Sequence, residues 1–467
     1  MLTLNTTEMK KSLIALAVLC SFTAFAQNMA AQEVQYNQYG VKVSAEPLVT
    51  ENQDGILVHR STNDSGFKVW LDMRVQADGA VFFGENEDLD PIGNGLSIRR
   101  ARFAVKSQIN KNWYGEIDMD MANGVFELKD AIIRFDGIPN TQIQIGNFKE
   151  FFSIQRNNSS RYLQFMERPM VTQALAPSRH IGANVKWAKN WLWLSGGVFG
   201  QTIDNLETRT FVEDANKDFG KSQGLSYTGK FVLMPGYKNE NWGLHLAGAL
   251  SYRQPNIDDE QMSVSPGNFV RFSTRNSTSI NRKKYIDTGE IADVDHDLLY
   301  TAEIAGYYKG LRFEGAYMAD DNFVTTSSTH NHLWGWYAQA GYLLFGGRQR
   351  YDTGGAKFTR VSRGREWGDI ELCARYEYVD FNAPALMAGS AEAYALGINY
   401  YINNNVKFVI NYQYNNNDRY ANGKGNKFLV GYDAAGKATS DYKKVVSGNG
   451  KAGVDYHMLA VRFEINF

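Results

Sequence analysis

Between Phe67 and Val81, one parity of the chain is apolar and the other largely polar for about fifteen residues. Phe67, Val69, Leu71, Met73, Val75, Ala77, Gly79 and Val81 fall on one side; Lys68, Trp70, Asp72, Arg74, Gln76 and Asp78 fall on the other. An extended backbone sorts neighbours this way, because successive strand side chains point to opposite faces. Strands of soluble sheets usually run about five or six residues. A tilted strand crossing a bilayer needs about 9–11. The stretch is long enough to cross, with one face fit for lipid and one for water.

The period recurs. Ala101, Phe103, Val105 and Ile109 oppose Arg100, Arg102, Lys106 and Gln108. Ile117, Met119 and Met121 oppose Glu116, Asp118 and Asp120; Ala131, Ile133 and Phe135 oppose Asp130, Ile132 and Arg134. Further strands are expected at 141–148, 180–187, 191–200, 224–234, 242–253, 299–308, 311–319, 334–345, 368–379, 391–401, 405–415 and 457–467, sixteen in all. An even count fits a bacterial single-chain barrel. Lipid satisfies no backbone hydrogen bonds, so such a sheet crosses only if it closes. The expected fold is all-β, a transmembrane antiparallel β-barrel of about 16 strands.

The connections agree. Links 83–97, 149–179, 201–223, 254–298 and 416–456 are long; 110–113, 137–140, 188–190, 309–310 and 402–404 are short. Long loops on one side and short turns on the other is the outer-membrane arrangement. Trp113, Trp191 and Trp242 each follow a similar turn and fit an interfacial girdle. The link 346–367 is long where a short turn is expected.

A mean hydropathy of −0.40 does not oppose this, since half of each strand faces water. The net charge of −1 argues against a nucleic-acid partner. Residues 1–26 read as a secretory signal, with Met9 an alternative start, Lys10 and Lys11 basic, 12–22 apolar and Ala24-Phe25-Ala26 the cleavage site. Residues 27–66 read as a periplasmic lead-in and 67–467 as the barrel. Export places the chain in the cell outer membrane, with its lipid as partner. Removing Cys20 with the signal leaves Cys373 without an internal disulfide; Cys373 reads as a small packing residue.

On the polar parity, basic and acidic residues occur in equal number. Ions in a dry core would each carry a desolvation penalty of several kcal/mol, so they are expected to line a water-filled lumen. Arg100, Arg102, Lys106 and Arg134 are candidate pore-lining cations, with Glu116, Asp118 and Asp120 an acidic wall beside them. The loop between residues 149 and 179 carries Arg156, Arg161, Arg168 and Arg179 among Phe151, Phe152, Phe165 and Met166. A loop this apolar is expected to fold inward and present its arginines to passing anions.

Other chemistry is weak. His330-Asn-His332 reads as a solvated loop, and Asp293 to Asp297 lacks the glycine and closing glutamate of an EF-hand. The acidic run 85–90 reads as solvated charge. No nucleophile elbow is present. Neither a catalytic residue nor a metal or other cofactor is expected. The reading is a passive porin for small hydrophilic or anionic solutes. The rivals are an adhesion or structural barrel with a plugged lumen and an outer-membrane hydrolase.

Several stretches, namely 98–103 (IRRARF), 128–134 (LKDAIIR), 145–149 (IGNFK), 165–168 (FMER), 335–342 (GWYAQAGY) and 371–376 (ELCARY), resemble the phosphate-selective porin O and P family. The resemblance covers nearly the whole chain after the signal segment. It implies a homotrimeric sixteen-stranded channel with arginine-guided anion passage. The balanced wall charge departs from that picture. Ending on Phe467, on the apolar parity, resembles outer-membrane barrels recognised by the barrel assembly machinery.

Overall fold

The computed structural model describes residues 35–40, 42–43, 47–53, 55–84, 92–203, 221–222, 224–255, 257–258, 269–275, 277–280, 283–327, 330–384, 386–421, 431–439, 441–446 and 453–467. The expected signal segment, much of the lead-in and the acidic run 85–90 lie outside them. A small unit, residues 1–49 with 61–64, contains the paired strands Gln35–Tyr36 and Lys42–Val43.

The larger unit is a closed antiparallel barrel. Its sixteen main strands are β1 (Lys68–Phe83), β2 (Gly95–Gln108), β3 (Trp113–Asp120), β4 (Glu127–Ile138), β5 (Thr141–Lys149), β6 (Arg179–Lys189), β7 (Leu192–Phe199) and β8 (Ser226–Leu233). They continue as β9 (Trp242–Arg253), β10 (Val294–Tyr308), β11 (Leu311–Val324), β12 (Asn331–Leu343), β13 (Asp369–Ala383), β14 (Leu386–Tyr401), β15 (Val406–Asn417) and β16 (Val454–Asn466). Each pairs with its neighbour in sequence, and β16 returns to β1 from His457↔Phe83 to Asn466↔Arg74. Closure removes the sheet edge. Among the described residues, no helix is long and apolar enough to cross a membrane; the strands cross.

The expected parities hold. Phe463 is 51% exposed while its neighbours Arg462 and Glu464 are 2% and 1% exposed. Leu71, Val75, Ile117, Ile133, Ile145 and Val461 are likewise outward and exposed. This sheet is greasy outside and ionic inside.

Short turns are set by asparagine. The Asn110 side-chain oxygen accepts from the amides of Asn112 and Trp113 at 2.9 and 3.0 Å. Asn239 does the same for Asn241 and Trp242 at 2.8 and 3.2 Å. Asn140 and Asn190 turn the chain at φ 61° and 57°, a conformation asparagine tolerates.

Two segments fold into the barrel. The first, 150–178, holds helices α1 (Ile154–Asn157) and α2 (Met170–Ala174). Phe152, Met170, Val171, Met318, Leu333 and Phe381 are buried together between it and the wall, each contributing about 1.5–3 kcal/mol. The second is the unexpectedly long link 346–367. Its strands Tyr351–Asp352 and Lys357–Phe358 form a hairpin, and Phe358 is buried with Ile154 and Ala305 inside the barrel. The Phe358 amide donates to Asn158 Oδ1 at 2.9 Å. The link is long because it reaches the inserted loop from the short-turn end. Cys373 packs with Phe165 and Ala395.

Candidate functional site

Most of the inner charges do not line water, contrary to the sequence expectation. The inserted loop has little regular structure, so its backbone groups need partners. The wall supplies them. The amides of Ile154 and Met170 donate to Glu303 and Glu377 at 2.8 and 2.5 Å. The carbonyls of Phe152, Tyr162 and Leu163 accept from Lys230, Arg312 and Lys407 at 3.1, 2.8 and 2.9 Å. Those of Met166 and Glu167 accept from Arg462 and Arg375 at 2.7 and 2.9 Å. A backbone offers donors and acceptors alike, so the wall that holds it carries both signs.

Elsewhere the wall keeps free volume. A cavity of about 720 Å³ lies between β2, the β3–β4 connection, the inserted loop and the residues Arg271, Ser273, Thr274, Arg275 and Lys284. Ten basic residues line it against three acidic ones, Asp120, Glu127 and Glu167. Of the sequence candidates, Arg100, Arg102, Arg156, Arg168, Arg179 and Asp120 are here.

The cations are held in two ways. Arg179 grips Asp130 through two bonds of 2.9 and 2.6 Å. Arg102 reaches Asp120 and Asp118 at 3.2 and 3.3 Å. Arg100 donates to the neutral Gln76 at 2.6 Å. Arg156 donates only to carbonyls among the described residues, those of Ala176 and Gln173 at 3.1 and 3.2 Å. Arg168 likewise meets the carbonyls of Gln155 and Asn158 at 2.6 and 3.0 Å. These last three guanidiniums are oriented without a carboxylate in contact. Burial pushes Arg156 down to about 10, the charge of Arg179 adding to that and Glu167 opposing it. It still carries its proton at neutral pH.

The other candidates lie outside the cavity lining. Lys106 bonds Asp72 at 2.8 Å and approaches Glu116 at 3.3 Å. Arg134 is paired with Asp136 and lies 4.0 Å over the Tyr114 ring. Arg161 pegs the loop to Asp72 and to Asn466 Oδ1, the latter at 2.8 Å. Glu116, Asp118 and Asp130 bring carboxylate oxygens within 4.8 Å of one another. Lys106, Arg102 and Arg179 interleave with them, so they form part of an ion-pair ladder along the wall.

Parity misses two lining cations. Gln76 pairs with Arg100 but Ala77 with Ile98, so Arg99 is an extra residue. Asp118 pairs with Asp130 but Met119 with Leu128, leaving Lys129 extra. A β-bulge re-aims the inserted side chain. Arg99 turns inward and clasps Glu167 at 2.5 and 3.1 Å. Burial raises the Glu167 pKa, but Arg99 and Arg100 outweigh that and hold it well below the usual carboxylate range. Arg271, Arg275 and Lys284 come from a long loop with no strand period to betray them. The only sequence signals were an out-of-phase base in each strand.

Residues 69–431 match the family described as phosphate-selective porin O and P. An uncharacterized protein of Caulobacter vibrioides is 25% identical over 69% of this chain and 63% of its own length. Porin O of Pseudomonas aeruginosa is 24% identical over 81% of this chain and 89% of its own length. Among solved structures, outer-membrane expressed OmpT of Vibrio cholerae superimposes with a TM-score of 0.51 at 10% identity, covering 87% of this chain and 99% of that one. A trimer form of the same protein gives 0.50 at 9% identity, covering 86% and 100%.

Proposed function

The chain belongs to the phosphate-selective porin O and P family and is an outer-membrane porin, not an enzyme; from that premise we propose that its channel favours anions, phosphate among them, and that three copies assemble side by side. The observation that carries the anion reading is the cavity, where ten basic residues meet three acidic ones. Basic linings favour anions in pores. Guanidinium forks match the geometry of oxyanions. Arg156 and Arg168 are pre-oriented by carbonyls, which position them without neutralising their charge.

The trimer reading rests on the family resemblance and on wall height. β3, β7 and β8 have eight residues each, against sixteen in β1 and β14. Eight residues tilted about 40° span only about 20 Å, below the apolar band of about 25 Å. A neighbouring copy covers this low side.

The test is a planar-bilayer recording under a salt gradient, with phosphate added to a chloride-carried current. Expected are a reversal potential of anionic sign and chloride conductance that falls as phosphate rises. Cation preference would remove the anion reading and leave the porin standing.

A further inference from the structure

One anion in the basic cavity is the protein's own. Glu167, on the inserted loop, is part of the cavity lining. Arg99 holds it as a fork, donating from Nε to Oε1 at 2.5 Å and from Nη2 to Oε2 at 3.1 Å. Arg462 Nη2 reaches Oε1 at 3.3 Å. Arg100, next to Arg99 on β2, adds its charge to the same carboxylate and donates to the neutral Gln76 at 2.6 Å. Two parallel bonds from one guanidinium to two oxygens is how arginine meets carboxylate and phosphate alike.

We propose that the Glu167 carboxylate is a tethered anion seated in a second oxyanion subsite, built by Arg99 and Arg100, which a solute enters by displacing it. The inference rests on the anion reading above and deepens it. A cavity of about 720 Å³ falls within the range that holds drug-sized molecules. One small oxyanion beside Arg156 and Arg168 therefore leaves room for another at Arg99. A competitor fixed to the chain acts at high effective concentration. It keeps solute binding weak enough for release, which conduction requires.

Glu167 differs from the carboxylates that only fasten the wall. The pairs Arg462–Asp78 and Arg312–Glu314 are at most 2% exposed on either side, and all four residues lie outside the cavity lining. The Arg99 side chain is 21% exposed and lines the cavity, so a solute meets the same fork that Glu167 holds. A displaced Glu167 keeps its contact with Arg462, so the exchange strands no buried carboxylate. The Glu167 carbonyl accepts from Arg375 at 2.9 Å, which pins the backbone whatever the side chain does. The competing arrangement is an ordinary ion pair that fastens the loop and takes no part in binding.

The experiment records chloride current through the full chain in planar bilayers while inorganic phosphate is titrated. Glu167→Gln keeps the shape of the side chain and removes its charge. Half-block should then come at about a tenth of the wild-type phosphate concentration or less, the scale of a charge-assisted hydrogen bond. A residue that merely fastens the loop would shift half-block upward or leave it in place. Adding Arg99→Gln to Glu167→Gln should return half-block toward wild type. Glu127→Gln removes another lining carboxylate, one paired with Lys129 and 55% exposed, and should shift half-block only about twofold. If Glu167→Gln loses the heat-modifiable mobility of a folded barrel, Glu167→Asp carries the test. It keeps the charge, shortens the reach to Arg99, and should again lower half-block. Half-block at or above the wild-type concentration in the folded variant, or an equal shift in Glu127→Gln, overturns the proposal. Cation preference in the wild type would remove the anion reading beneath it; anion preference with an unmoved half-block removes this proposal alone.

Discussion

Arg156→Gln and Arg168→Gln test the cavity's charge with little collateral change. Neither guanidinium contacts a carboxylate among the described residues, so removing it strands no buried anion. The lost bonds to carbonyls are worth about 0.5–1.5 kcal/mol each, and glutamine can retain one. The electrostatic effect is larger. A unit charge 4 Å from an anion contributes about 1 kcal/mol in bulk water and about 4 kcal/mol at an effective dielectric of about 20. A cavity of about 720 Å³ holds many waters, so the lower part of that range applies, about 1–2 kcal/mol per arginine. Each single variant should then need about 5–30 times more phosphate to halve the chloride current. The double variant should approach the product of the two, less any coupling between neighbours. Arg156→Lys keeps the charge but loses the fork, and should fall between wild type and glutamine. Half-block at the wild-type phosphate concentration in the double variant, with the barrel folded, would refute the assignment of these residues to the anion path.

Four further outcomes are expected. Arg462→Met strands Asp78, which Arg462 grips through two bonds of 2.7 Å; a broken buried pair costs about 3–5 kcal/mol, read as a lower urea midpoint that Asp78→Asn restores in part. Val461→Arg places a cation on the lipid face and should cost about 2–4 kcal/mol near midplane, seen as reduced yield of folded barrel in lipid vesicles. Phe358→Ala empties the contact of the hairpin with Ile154 at about 3–5 kcal/mol; single-channel conductance should rise while anion preference is kept. Burial raises Glu150, but Arg253 and His180 outweigh it and hold it at about 2 against an ordinary 4.5. A depressed carboxyl stabilises fully above its unfolded value and loses that as pH falls through the folded one. Ion preference that depends on the loop should therefore persist at pH 4 and decay toward pH 2.

The strands were legible because lipid enforces parity. A charge such as Arg462 cannot face hydrocarbon cheaply, so the apolar side stays clean and the period shows. The inward loop was legible from Phe151, Phe152, Phe165 and Met166, which a solvated loop has no reason to carry. What parity could not carry was anything that breaks it. Arg99 and Lys129 sit in bulges, where one extra residue turns a nominal outward position inward. Lys106 and Arg134 share the charge and parity of Arg100 and Arg102, and Arg161 shares the loop of Arg156 and Arg168, yet all three lie outside the cavity lining, each paired with a carboxylate there. Sequence shows which face a residue takes; it does not show which opposite charge reaches it first.

The even balance of wall charge, which argues against an anion channel when read as a uniform lining, is the condition for having one. An irregular segment folded through a barrel exposes amides and carbonyls to the wall, and burying either unpaired costs about 1–3 kcal/mol. Carboxylates such as Glu303 and Glu377 satisfy the amides, while Arg312, Lys407 and Arg462 satisfy the carbonyls. Their charges are spent within the packed half of the barrel and do not face a solute. The segment's own cations are oriented by its carbonyls, Arg156 and Arg168 above all, on the side away from that packing. Adding Arg99 and Lys129 through bulges leaves the open side basic although the wall as a whole is neutral. Selectivity in this barrel is thus a matter of which charges the inserted loop covers. Neutralising a pegging residue such as Lys407 should alter stability more than ion preference, and neutralising Arg156 the reverse.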